Sequence, residues 1–326
     1  MSRPLVTVIG EALIDLVPVG GPGDYKAHAG GSPFNVAVAL GRLGNRVALL
    51  ARLGDHGFGR LLRDTAASEG VELGAAARAA EPTTLAVVAL EGPGHASYEF
   101  YVEGTADWQW TIAELRRRPA DTEVLHFGSI ASWKPPGSER IDELVGEARG
   151  SGVLVSYDPN VRPSLLTAAS RGRTLVERSV GRAHVVKASR EDLEWLYPSR
   201  SVDEIGACWT AQLGASLVVV TDGADGAVAY RDGARLLHRR GRPVQVVDTI
   251  GAGDAFTAGL LAGLIRRELH PPGRLAAISE SALAEVIDEA VLVSSLTCER
   301  AGADPPRLAQ RDVGARPLKP DDFVSA

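Results

Sequence analysis

The stretch DTIGAGDAFTAGLLAGL (248–264) sets glycine-rich backbone directly before an apolar run that reads as a helix. Such a turn presents backbone N–H groups at a helix N-terminus, where the dipole favours a phosphoryl group or another anion. Yet Asp254 puts a carboxylate at the same mouth. A first-turn carboxylate gains about 0.3–1 kcal/mol from the dipole. A phosphate charge about 4 Å away opposes it by about 4 kcal/mol at an effective dielectric of 20. Repulsion wins unless the acid has another task or a cation intervenes. One task fits: the amides hold a phosphoryl group while Asp254 accepts the proton of an attacking hydroxyl. The turn is not a Walker A loop, because no Lys follows it. Nor is it a dinucleotide fingerprint: Phe256 stands at the third glycine, and the motif lies late in the chain.

Further candidates are weaker one by one. In GGSPFNVAVALGRLG (30–44) a double glycine precedes Asn35 at a helix start. Asn35 reads as an N-cap worth about 1 kcal/mol, or as an amide that binds hydroxyls. Asp15 follows the first strand, where a carboxylate either takes two sugar hydroxyls or is an ordinary strand-end charge. Thr221, Gly223 and Gly226 form a tight turn after a strand. Lys is rare, at positions 26, 134, 187 and 319. Lys187 reads as a solvated strand end or as a cation near phosphates, and Arg162 is a second such cation. Tyr98, Phe100, Tyr101, Trp108 and Trp110 cluster in a chain with 5% aromatics; they read as local core or as an aromatic-bearing lid.

The elements that position these residues follow from periodicity. LVTVIGEALIDLV (5–17) reads as one strand, and residues 35–43 as a helix stopped by Gly44. VALLARLG (47–54) reads as a buried strand and residues 56–71 as a helix. TTLAVVALEG and HASYEFYVEG (83–104) read as a strand pair about a Gly/Pro turn. Short strands then recur at 122–130, 152–160, 183–189 and 215–223. Helical stretches lie between them at 138–149, 163–180 and 190–197, and close the chain at 254–269 and 279–296. Strands alternating with helices argue for a parallel sheet covered on both faces. The helix after Asp254 is apolar on nearly every side, so it should be buried, with its glycines permitting close packing. The tail from Asp304 reads as surface chain.

Composition excludes several classes. The 326 residues carry 35 basic and 41 acidic side chains, a net charge of −6, with no dense basic tract; this argues against nucleic acid as a partner. Cys208 and Cys298 are the only cysteines and form no disulfide framework, which fits a reducing cytoplasm. Glu11 and Asp15 interrupt the apolar N-terminal run, so no signal peptide or membrane span is expected. No His pairing suggests zinc.

Taken together the motifs are specific. GEALID (10–15), GGSPFNVAVALGRLG, DPNVRPSL, VVKASREDLEWL, VTDGADGA, DTIGAGDAF and TCERAGADPP occur in the order found in the ribokinase-like (pfkB) sugar kinases. The chain resembles that family over nearly its whole length, and its variants are most similar to fructokinases. The resemblance implies one ribokinase-like domain over 1–326. Its fold would be a three-layer α/β/α core with a mostly parallel sheet and a small β lid from about 12–34 and 85–110. It implies Asp254 as catalytic base and Gly251, Ala252 and Gly253 as an anion hole. Asp15, Gly30, Gly31, Asn35 and Arg162 match sugar-binding positions. Lys187, Thr221, Gly223 and Gly226, with Gly251 and Gly253, match the nucleotide side. Asp248 and the Ile250 carbonyl match a monovalent-cation site of some members, although Asp248 equally suits a local cap, so K⁺ is left open. The implied reaction is ATP- and Mg²⁺-dependent phosphorylation of a primary sugar hydroxyl, foremost of D-fructose. The alternatives are 2-keto-3-deoxygluconate, ribose or a nucleoside as acceptor, and a non-catalytic sugar- or nucleotide-binding protein. A homodimer is left open. One departure stands out: Lys187 and Arg190 replace the Asn and Glu of the ribokinase Asn-x-x-Glu motif that organises Mg²⁺, and Glu191 is the nearest substitute.

Overall fold

Runs of about five β-branched and aliphatic residues make the strands at the centre of the protein. The computed structural model describes residues 3–20, 23–90, 96–166 and 168–314. In chain order its strands are β1 (Leu5–Ile9), β2 (Leu13–Pro18), β3 (Tyr25–Gly30), β4 (Arg46–Leu50), β5 (Arg52–Gly54), β6 (Ala77–Ala79) and β7 (Leu85–Leu90). They continue as β8 (Ala96–Tyr101), β9 (Thr122–Gly128), β10 (Leu154–Asp158), β11 (Val185–Ser189), β12 (Leu217–Thr221), β13 (Ala227–Arg231) and β14 (Ala234–Arg239). Eight form one sheet in the order β14-β13-β12-β11-β10-β9-β1-β4. Neighbours from β12 to β4 run parallel, while β13 and β14 add an antiparallel edge. β1, LVTVI, is buried at every position, as a strand covered on both faces must be.

Two apolar layers cover that sheet. On one side Val6, Val8 and Leu49 meet the helices Ser32–Arg42, Ala252–Arg266 and Glu280–Cys298. On the other, Leu125, Phe127 and Tyr157 meet the helices Gly137–Gly150, Ala169–Val180, Arg190–Leu196 and Val202–Ala211. The result is the three-layer α/β/α architecture that the alternating pattern suggests. A second sheet, ordered β3-β2-β7-β8, stands apart from the first, and its strands fall inside the segments 12–34 and 85–110.

Several boundaries differ from the sequence reading. The single strand expected over 5–17 is two, because residues 10–12 carry the chain from the main sheet into the small one. VALLARLG likewise divides into β4 and β5, and β5 pairs with β6. The stretch 163–180 is a 3₁₀ turn, Pro163–Leu165, followed by the helix Ala169–Val180. The turn between β7 and β8 lies outside the described residues. The aromatic cluster is split: Trp108 and Trp110 are 1% and 6% exposed and belong to the core of the main body. Only Tyr98, Phe100 and Tyr101 lie in the small sheet. The chain returns at the buried Asp107, whose carboxylate accepts from Ala12 N (2.9 Å) and Thr84 Oγ1 (2.5 Å). One side chain therefore ties together three of the crossings between the sheets.

Sequence reasoning passed over the helix Val202–Ala211, although Ser201 and Glu204 form a capping box there. It also passed over the β13–β14 hairpin, marked by Asp232-Gly233 with both residues at positive φ. In the tail, Leu308–Gly314 is a helix with no buried residue, in keeping with surface chain, and 315–326 lie outside the described residues. Among the described residues no helix is long and apolar enough to cross a membrane, and both cysteines are free.

The helix Ala252–Arg266 is buried without interruption from Asp254 to Leu264. A Cβ on Gly259 would lie 2.8 Å from Ala290 Cα on the partner helix, so the glycine sets the separation of the two. Gly259→Ala gains about 0.5–1 kcal/mol of helix propensity but overpacks a full contact, at a cost of about 1–3 kcal/mol. Net destabilisation is expected in urea unfolding. A midpoint at or above that of the wild type overturns the tight crossing.

Candidate active site

The C-terminal ends of β1, β10, β11 and β12 open toward one side of the main sheet, the usual ligand-binding side of a parallel sheet. There the helices Ser32–Arg42 and Ala252–Arg266 begin. Gly251 caps the second helix at φ +75°, in the left-handed region, and a Cβ there would lie 2.6 Å from Ala303 Cβ. Two cavities flank this turn. One, of about 290 Å³, is lined by Asp15, Asn35, Tyr98, Phe100, Arg162 and Asp254 among others. The second, of about 480 Å³, is lined by Thr221, Gly223, Gly226, Glu191, Val244 and Ser294 among others. Asn160, Lys187, Thr249 and Gly253 line both, so the cavities meet at the turn.

Asp254 faces the first cavity and is 9% exposed. Its Oδ1 accepts from Ser32 Oγ (2.6 Å) and its Oδ2 from Asn35 Nδ2 (2.8 Å). Burial pushes its pKa up, and these two hydrogen bonds work against that rise. A buried acid of raised pKa is suited to accept a proton. Asn35 is not an N-cap: the helix starts at Ser32, with Gly31 in the cap position. Its amide instead reaches across to Asp254. Ser32 escaped sequence reasoning, which saw it only as the residue after the double glycine.

Asp15, on β2, sits against Gly30: a Cβ there would lie 2.0 Å from Asp15 Oδ2. Burial raises Asp15 to about 6, Arg162 opposes the rise, and Asp254 adds to it. Arg162 lines the same cavity and donates to its neighbouring carbonyls at Val161 (3.0 Å) and Asn160 (3.3 Å). Gly31 passes close to the Glu11 carbonyl. Glu11 is a second residue that sequence reasoning missed, read only as a break in an apolar run. It is 1% exposed, lines the cavity, and its Oε2 accepts from Ala131 N at 3.0 Å.

On the other side of the turn, Lys187 is 5% exposed. That excludes the solvated strand end. Its Nζ donates to Asp158 Oδ2 at 3.1 Å. Thr221 ends β12 and donates to Ala188 O at 3.4 Å. Gly226 passes against the Arg239 carbonyl, where a Cβ would sit at 2.1 Å. Arg190 turns to Asp222 (2.5 Å) and Glu194 (3.9 Å). Glu191 is exposed on the wall of the cleft. The buried neighbour is Asp192, which accepts from Val161 N (2.7 Å) and Ser189 N (3.1 Å). Asp248 accepts from Ile250 N (3.0 Å), a local cap, and from Gly302 N (2.8 Å), 54 positions along the chain. Among the described residues, no three His, Cys, Asp or Glu side chains converge as a metal cluster.

The buried Glu11 makes stability depend on pH. Burial raises it to about 7 from the usual 4.5, against weaker hydrogen bonds from Ser129 and Ala131. The folded chain thus holds this proton more tightly than the unfolded chain does. The contribution is complete below pH 4.5 and is lost as pH rises through about 7. The melting temperature should fall between pH 5 and 8. Glu11→Gln should remove on the order of 3 kcal/mol of that dependence. An unchanged slope in the variant overturns the assignment.

Comparison with known proteins gives the family. The model of the pfkB family carbohydrate kinases matches residues 3–310. A fructokinase of Rhizobium leguminosarum bv. trifolii is 36% identical, with 98% of this chain and 100% of that one aligned. Among solved structures, fructokinase with bound ATP from Xylella fastidiosa superposes with a TM-score of 0.87 at 28% identity, covering 96% of this chain and 98% of that one. Fructokinase from Vibrio cholerae O395, solved with fructose, ADP and calcium ion, gives a TM-score of 0.81 at 31% identity, covering 92% and 94%. With its signature turns folded around one pair of joined cavities and its likeness extending over nearly every residue, the chain belongs to the pfkB family of carbohydrate kinases, phosphotransferases that act on a sugar hydroxyl.

Proposed function

We propose that the protein transfers the γ-phosphoryl group of ATP to the primary hydroxyl of D-fructose. One observation carries this reading: Asp254 and the glycine turn stand where a small polar cavity meets a larger cleft. The named ligands of the Xylella and Vibrio relatives, ATP in one and fructose with ADP in the other, support it.

The sugar occupies the smaller cavity. Asp15 accepts hydroxyl protons there, Gly30 and Gly31 let the backbone come close, and the Asn35 amide and Arg162 complete the polar wall. Asp254 takes the proton of the attacking hydroxyl; a carboxylate has lone pairs left after accepting from Ser32 and Asn35. The amides of Gly251, Ala252 and Gly253 face the charge that develops on the transferring phosphoryl group. Lys187 adds a cation beside Gly253. Thr221, Gly223 and Gly226 line the nucleotide cleft. Tyr98 and Phe100 reach the cavity from the small sheet, which serves as the lid that excludes water.

A divalent cation, Mg²⁺ in the cell, neutralises phosphate charge when bound. Glu191 is the exposed carboxylate on the cleft wall and would hold one of its waters, since Asp158, Asp192 and Asp254 are engaged by protein donors. Asp248 and the Ile250 carbonyl would supply oxygen ligands to K⁺. The cysteine pattern fits a cytoplasmic enzyme. The small sheet ends in β3 and β8, edges of the kind that a second copy covers in a homodimer.

Asp254→Asn should lower kcat by roughly 10²–10⁴, with the melting temperature nearly unchanged; turnover close to wild type rejects the base. Activity should also fall as pH drops through the raised Asp254 pKa, because only the ionised acid accepts a proton. The acceptor is tested by coupled ADP release with fructose, ribose, 2-keto-3-deoxygluconate and nucleosides. A higher kcat/KM for any other acceptor rejects fructose and leaves phosphotransfer standing.

A further inference from the structure

Among the described residues, Lys187 is the one charged side chain that lines both cavities. Its Nζ lies where a Cβ on Gly253 would approach to 2.9 Å, so this glycine leaves room for the ammonium beside the turn. The side chain reaches that place from β11, where it is buried. What holds it there is Asp158, the last residue of β10.

Asp158 is 1% exposed. Its Oδ1 accepts from Asn160 N at 3.1 Å. Its Oδ2 accepts from both Lys187 Nζ (3.1 Å) and Thr257 Oγ1 (3.2 Å). Thr257 is fully buried and lies three residues after Asp254 on the same helix. A single carboxylate oxygen therefore fixes the ammonium and ties it to the helix that carries the proposed base. We propose that Asp158 is a positioning residue: it holds the Lys187 ammonium at the junction through which the phosphoryl group passes. The proposal rests on the kinase reading and assigns a task to a residue that reading leaves idle.

The electrostatics agree with the geometry. A lysine this deep loses its charge unless an anion accompanies it. Burial works against the Lys187 charge, but Asp158, Asp192 and Asp254 more than compensate and raise its pKa. The titratable groups facing it are those three carboxylates and His126, which burial and Lys187 hold neutral, with a pKa of about 3. Of the carboxylates, Asp158 alone bonds Lys187 directly.

Two further consequences separate positioning from mere packing. Removing the Asp158 charge should let Lys187 deprotonate at lower pH. Activity would then decline as pH rises, a basic limb that the wild type lacks. Asp158 should also have no effect once Lys187 is gone.

A mutant cycle tests this with the full-length enzyme and the best acceptor of the screen. Lys187→Met should lower kcat roughly 10²–10³-fold with the sugar KM within a few-fold. Asp158→Asn should lower kcat by at least tenfold and bring in the basic limb. The double variant Asp158→Asn/Lys187→Met should be no slower than Lys187→Met alone, the signature of two residues acting as one. If Asp158→Asn fails to fold because it strands a buried cation, Asp158→Glu takes its place: it keeps the charge but displaces the ammonium and should lower kcat at least tenfold, and a kcat within a few-fold of the wild type overturns the proposal. Losses that multiply, or an Asp158→Asn profile without a basic limb, overturn the proposal. If no acceptor releases ADP in the wild type, the kinase reading fails and the proposal falls with it. Fructose failing while another acceptor works leaves the cycle intact.

Discussion

The hydrogen bonds that Asp254 accepts from Ser32 and Asn35 join the first turns of two buried helices, and the site depends on that junction. Neither helix can shift without moving the acid. Ser32 and Asn35 lie three residues apart on one helix, so both donors face the same way. Each helix starts on a glycine at positive φ, Gly31 and Gly251, and each abrupt start brings the first turn close to the ligand space. The long apolar body behind Asp254 anchors the second helix against Ala290 and Val293. The local arrangement is costly, with a carboxylate buried at a place made for anions. The burial of eleven consecutive residues, 254–264, holds it in place.

The same logic governs the connection between the two sheets. The small sheet is built from two distant stretches of chain, so its strands must leave the main body and return to it. Asp107 accepts from the backbone of Ala12 and the side chain of Thr84 where these crossings converge. It too is buried, and its pKa is raised to about 6 despite those bonds. Glu11 beside it is raised to about 7, in part by Asp107 itself. A polar knot where the chain crosses between the sheets stabilises less than apolar packing would, but it fixes direction. Apolar contacts tolerate sliding; a carboxylate with two oriented donors does not. That serves a sheet whose Asp15, Tyr98 and Phe100 must meet residues from the other body.

Much of this was legible in the sequence, for physical reasons that can be named. Strands buried on both faces are continuous apolar runs, so the main sheet read easily. The glycine turn announced itself because its backbone requirements restrict residue type. Asp254 drew attention because its charge conflicts with its place. What escaped were residues whose meaning lies in a partner far along the chain. Ser32 is ordinary until Asp254, 222 positions away, accepts its proton. Lys187 read equally well as a solvated strand end, because nothing local shows that the strand ends inside the protein. Trp108 and Trp110 read as core or as lid aromatics because they follow β8 closely; they are core, because the chain turns back into the main body between them and the strand. The β13–β14 hairpin was marked by Asp-Gly and was passed over because the preceding rhythm was parallel.

The conflict between acid and anion resolves through geometry rather than through neutralisation alone. Asp254 is turned toward the smaller cavity by two donors from the opposite helix, while the glycine turn before it lies where that cavity meets the larger cleft. The repulsion between carboxylate and phosphate is therefore not removed but directed. In the proposed reaction it would disfavour an ionised Asp254 while the phosphoryl group is near, and so would assist the acid in taking a proton when the hydroxyl attacks. Lys187 would limit the effect, since its ammonium lies beside Gly253 at the turn where the two cavities meet. In that reaction acid and ammonium would divide the junction: the negative charge would face the group that loses a proton, and the positive charge the group that carries excess electrons.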